Sequence, residues 1–139
     1  MSKILIVVDM QNDFIDGALG TKEAVAIVPY VKDVIESFDG KVYFTRDTHF
    51  ENYMETQEGK KLPVPHCIKG TDGWKLNEKI AEALKDKEYI CVEKPTFGSV
   101  KLPEIIKNIV LHLIFCPPVL LVSLLPSLFS VALYRRAEN

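Results

Sequence analysis

The 139-residue sequence contains no CxxC pair: its three cysteines, Cys67, Cys91 and Cys116, are scattered. That spacing suits a reducing, cytoplasmic setting better than a disulfide framework. An excess of either charge is also missing. Seventeen Lys and Arg nearly balance nineteen Asp and Glu, so nothing favours nucleic acid or an anionic membrane as a partner. A secretory leader is not indicated either, because the apolar run in MSKILIVVDMQND is five residues long and stops at Asp9. With 47% hydrophobic and 26% charged residues, the composition is that of one globular domain, not of a disordered chain. The last lack is local. From Asn108 to Tyr134 there is no Asp, Glu, Lys or Arg, after which come Arg135, Arg136 and Glu138.

What is present has a regular order. Ile4 to Val8 is an apolar, β-branched run suited to a buried parallel strand, and Asp9 follows it. DGALG marks a loop. From Lys22, Val25, Val28, Val31, Ile35 and Phe38 recur at helical spacing until Asp39-Gly40. Val42 to Thr45 reads as a second strand, residues 50–73 as a long loop broken by Pro63, Pro65, Gly70 and Gly73, and Leu76 to Leu84 as a helix. Tyr89 to Val92 gives a third strand, and a short helix begins near Leu102. This alternation predicts an α/β three-layer sandwich with a parallel sheet. Right-handed crossovers put the carboxyl ends of the strands on one edge, where open α/β sheets bind ligands. Asp9, Asp47 and Lys94 all fall at that rim.

Two constellations follow. A carboxylate and an ammonium in a cleft, Asp9 and Lys94, suit proton transfer with charge stabilisation, though a capping aspartate and a surface lysine fit the same residue types. Asp47, His49, Glu58 and His66 offer two imidazoles and two carboxylates, a set suited to zinc, iron or manganese. Asp47 and His49, two apart in extended chain, point the same way. Glu58 sits on the long loop and fits a solvated acid equally well. Cys67, directly after His66, should point away from the site, and Cys91, three before Lys94, should face the other side of the sheet; both read as packing.

The wording around these residues resembles a known family. DMQNDF (Asp9 to Phe14) and KPTFGS (Lys94 to Ser99), each after an apolar strand, are similar to signatures of the isochorismatase-like cysteine hydrolases. RDTH (Arg46 to His49) with PHCIKGTDGW (Pro65 to Trp74) resembles the metal-binding segment of nicotinamidases. The resemblance implies an isochorismatase-like fold and hydrolysis of a small carboxamide, nicotinamide first, as in NAD salvage. Asp9 would be the general base and Lys94 its charge-stabilising partner. The four-residue set would hold the metal against a pyridine nitrogen, and Phe14 and Trp74 would be walls for the substrate ring or ordinary packing.

The resemblance covers residues 1–107. Family members continue to a Gly-x-x-Thr-Asp-x-Cys turn at a helix N-terminus, which lowers the thiol pKa and binds the oxyanion. No such motif stands here. Cys116 is followed by Pro117 and Pro118, which remove two N–H donors and forbid the α-turn. Residues 1–107 therefore read as a hydrolase domain incomplete at its C-terminus, and 108–139 as an atypical tail. Its length and Arg135-Arg136 flank suggest a membrane span, but its prolines argue against one. An out-of-frame origin also fits, since the codons of Thr-Asp-Ile read one nucleotide late give the Leu-Ile-Phe of Leu113 to Phe115. Three functional expectations stand: an amide hydrolase, a hydrolase of isochorismate (which needs no cysteine), and a metal- or ligand-binding protein without turnover. Homo-oligomerisation stays open.

Overall fold

The computed structural model describes residues 4–106 and 131–132. In chain order the elements are β1 (Ile4–Val8), α1 (Asn12–Ile15), α2 (Lys22–Ser37), β2 (Lys41–Asp47) and a 3-10 turn (Tyr53–Glu55). Then come α3 (Gln57–Lys61), α4 (Glu78–Leu84), β3 (Tyr89–Lys94), α5 (Lys101–Ile106) and β4 (Val131–Ala132). The sheet runs β3-β2-β1-β4. The first three strands are parallel, with Val8 beside Thr45 and Asp47 beside Lys94. The two-residue β4 pairs antiparallel with Ile6 and Val7.

Period-two alternation sends side chains to two faces. On one face Leu5, Val7, Val42 and Phe44 pack against Ala24, Val28, Val31 and Ile35 of α2 and Ile80, Ala83 and Leu84 of α4. Each large apolar side chain buried there contributes roughly 1.5–3 kcal/mol. On the other face Ile4, Ile6 and Tyr43 meet Val8, Ile90 and Leu102. Helices thus cover both faces, the layering the alternation predicts. Thr21 caps α2 by accepting from the Ala24 amide at 3.0 Å. Lys87 closes its other end by donating to the carbonyls of Glu36 and Phe38. Pro29 lies inside α2, on its exposed side, where water can satisfy the carbonyl it leaves unpaired.

Four local expectations are corrected. β2 and β3 run two residues past Thr45 and Val92, so Asp47 and Lys94 end their strands instead of following them. Their opposite charges compensate each other across the ladder, which lets polar residues continue it. Residues 50–73 are not one loop: they hold the 3-10 turn and α3, and Glu58 is helical. Leu76 precedes α4 and forms an isolated bridge with Gln11. The short α1, unforeseen, begins inside DMQNDF. The membrane-span and out-of-frame readings of the tail, and Cys116, lie outside the described residues. Among the described residues no helix is long and apolar enough to cross a membrane.

Candidate metal and catalytic site

Asp9 leaves β1 with a positive φ of 50°, a left-handed conformation that costs a non-glycine residue roughly 1 kcal/mol or more. The turn aims its carboxylate along the sheet edge. Thr45 donates to Asp9 Oδ1 at 2.6 Å, and Lys94 Nζ lies 2.8 Å from Oδ2. The same ammonium is 3.1 Å from Asp47 Oδ1. All three side chains are buried. Burial raises the Asp9 carboxyl above its ordinary pKa, despite the opposing Lys94 charge. Burial pulls Lys94 down, but the charges of Asp9 and Asp47 outweigh it and keep the ammonium.

Beside this pair stand Asp47, His49, Glu58 and His66, whose ligand atoms all lie within 4.8 Å of one another. His49 Nε2 is 3.0 Å from Asp47 Oδ2 and 3.7 Å from Glu58 Oε1, and His66 Nε2 is 3.5 Å from Asp47 Oδ2. An ion bound at about 2.0–2.2 Å holds neighbouring ligand atoms roughly 3–3.5 Å apart. Three of these separations, 3.0, 3.5 and 3.7 Å, lie close to that, and a divalent cation would draw the widest pairs of the set inward. The His66 Nδ1 pairs with the Val64 carbonyl at 2.8 Å, which leaves Nε2 to face the carboxylates. The Glu58 side chain is 25% exposed and is the open side of the cage. Burial pushes Asp47 up, yet hydrogen bonds from His49 and His66 and the Lys94 charge hold its carboxyl well below the usual range. Burial lowers His66, but its hydrogen bonds to Asp47 and Val64 prevail and raise it.

The structure therefore brings Asp9, Lys94, Asp47, His49, Glu58 and His66 to one place. It puts Phe14 and Trp74 nearby but not in open view. Phe14 is 2% exposed and packs its ring 5.4 Å from His66. Trp74 is half-buried, donates to Thr48 at 3.0 Å, and carries the Arg46 guanidinium over one face at 4.0 Å.

Several contributors escaped the residue-by-residue reading. Tyr53 packs its ring edgewise against both His49 and His66 and anchors its hydroxyl on Leu62 O. Gln11 and Asp13 bind the backbone on both sides of the cage. The motif DMQNDF marks the place of both residues, but their partners lie 36 and 54 positions away, and no sequence pattern announces those contacts. The two described cysteines are packing. Cys67 is buried in the larger core, where burial pushes its thiol far up. Cys91 packs on that same core and accepts from Arg46 at 3.6 Å.

Among known proteins, the nicotinamidase of Saccharomyces cerevisiae is 30% identical over 66% of this chain and 56% of its own length. This chain thus spans little more than half of the curated relative it matches. The N-carbamoylsarcosine amidase of Thermoplasma acidophilum superposes with a TM-score of 0.61 at 29% identity, covering 77% of this chain and 61% of that one. The pyrazinamidase of Pyrococcus horikoshii, solved in complex with zinc, does so with a TM-score of 0.54 at 29% identity, covering 78% and 65%. The isochorismatase domain family matches residues 3–116, and with the fold and the wording of its motifs this chain belongs to that family.

Proposed function

We propose that this chain binds a divalent cation (zinc, iron or manganese) at Asp47, His49, Glu58 and His66 and hydrolyses a small carboxamide beside it. Nicotinamide, giving nicotinate and ammonia, is the first substrate to try, which would place the protein in NAD salvage in the cytoplasm. The observation that carries this is Lys94, whose one ammonium touches both Asp9 and Asp47 and so joins a candidate base to a candidate cage. When bound, the cation supplies a Lewis-acid site for a ring nitrogen. Asp9 accepts the proton of the attacking group, and burial, by raising its pKa, makes it a stronger base than an exposed aspartate. Lys94 then keeps Asp47 as its counter-charge, so the proton taken up by Asp9 leaves no ammonium unpaired. Phe14 and Trp74 would border the ring.

A second reading is a metal- and ligand-binding protein without turnover. It is favoured by the two described cysteines, since Cys67 is sealed in the core and Cys91 packs with it on the core face of the sheet. Ammonia release from nicotinamide by the zinc-loaded full chain, beside calorimetric titration of zinc and nicotinamide, separates the readings. Turnover lost in Asp9→Ala supports the hydrolase, and if it persists in Cys116→Ala, water is the attacking group. Binding without ammonia supports the second reading. A folded chain that binds neither zinc nor nicotinamide overturns both.

A further inference from the structure

The sequence motif that opens the chain does more than supply Asp9. Gln11 is fully buried, and its amide grips the backbone of Asp47 on both sides. Oε1 accepts from the Asp47 N–H at 2.7 Å, while Nε2 donates to the Asp47 carbonyl at 2.8 Å and to the Trp74 carbonyl at 2.9 Å. Asp13 does the same for the opposite wall. Its Oδ2 accepts from the Cys67 N–H at 2.7 Å, and Oδ1 from the Ala18 N–H at 3.2 Å. Cys67 follows His66 directly and has a φ of 47°, a left-handed turn that an unassisted cysteine rarely holds. That turn sends the Cys67 side chain into the core while His66 faces the cage.

We infer that Gln11 and Asp13 are positioning residues for the metal cage, Gln11 setting Asp47 and Asp13 setting His66. Neither side chain belongs to the ligand set, and both act through main chain of a ligand or its neighbour. The role presupposes a cation between Asp47 and His66, as proposed above. Gly73 adds an independent handle. A Cβ at this position would run into the Asp13 carboxyl group, so Gly73→Ala must displace Asp13 while leaving every polar group in the chain.

Zinc affinity by competition titration, with the visible absorption of bound cobalt(II) as a reporter of ligand geometry, tests this on the folded full chain. Gln11→Met, Asp13→Ala and Gly73→Ala should each weaken zinc binding by about 10–100-fold, the usual cost of losing an outer partner of a ligand, and should alter the cobalt bands. Asp13→Asn keeps one acceptor, which the Cys67 amide can take while the Ala18 N–H loses its partner, and should lose less zinc affinity than Asp13→Ala or Gly73→Ala. Val31→Ala, a cut in the buried face of α2, should lower the melting temperature without changing zinc affinity. If Asp13→Ala fails to fold, the contrast between Gly73→Ala and Asp13→Asn decides. Parent-like affinity and spectra in Gln11→Met and Gly73→Ala overturn the role, as does an equal loss in Val31→Ala. A folded parent chain that binds no zinc defeats the cage itself, a result distinguishable because it needs no variant.

Discussion

Asp47 and Lys94 face each other on the last rung of the β2–β3 ladder, and their side chains also meet, Nζ to Oδ1, at 3.1 Å. Two adjacent strands thereby deliver opposite charges to one buried point. Taking away the ammonium strands two carboxylates, so Lys94→Met should cost about 3–5 kcal/mol of stability in urea unfolding at neutral pH. Asp9 can relieve part of this by protonating, and the deficit should shrink as the solution is acidified. A loss below about 1 kcal/mol would show that the ammonium is not an essential counter-charge.

Zinc must compete with a proton on His66. Because that proton is held above the ordinary imidazole value by Asp47 and Val64, zinc affinity should climb with pH by about tenfold per unit for one proton displaced, levelling only above the His66 pKa. Titrations between pH 5.5 and 8.5 read this directly. An affinity independent of pH would remove His66 from the ligand set.

The metal-free chain should respond to acid through Asp47. Its folded pKa lies below the ordinary 3.8, so its stabilising contribution is present above that value and is lost as pH falls through it toward the folded pKa. The stability gap between the parent and Asp47→Asn should therefore be widest near neutrality and close progressively below pH 4. Melting curves across that range measure it, and a gap that widens in acid contradicts the sign.

Trp74, the single tryptophan, ties Thr48 to the Arg46 guanidinium. Trp74→Phe forfeits the indole hydrogen bond and should cost about 1 kcal/mol. Nicotinamide titration of the same variant separates two roles. Weakened binding means the indole also borders the ring, and unchanged binding leaves it as packing under Arg46.

Much of this is legible in the sequence. Ile4 to Val8 and the Val28, Val31, Ile35 series declared a strand and a helix because burial imposes a period on apolar residues. The motifs around Asp9, Asp47, His66 and Lys94 carried the rim. The ends of β2 and β3 were harder, because Arg46, Asp47, Glu93 and Lys94 break the apolar run while continuing the ladder. Glu58 reads as a loop residue because α3, QEGKK, has no apolar stripe to announce it. The backbone grip of Gln11 and Asp13 could not be read at all, since it joins residues 36 and 54 positions apart and has no periodicity.

The four candidate ligands come from one short stretch of chain, residues 47 to 66. A cation held among them would act as a cross-link across a loop of about twenty residues, removing roughly 3 kcal/mol of chain entropy from the unfolded state. The segment carrying the 3-10 turn and α3 has little core of its own, so loading the ion would rigidify that flap first. Chelation should then show as faster amide exchange in residues 50–66 before it reaches β1 or α2.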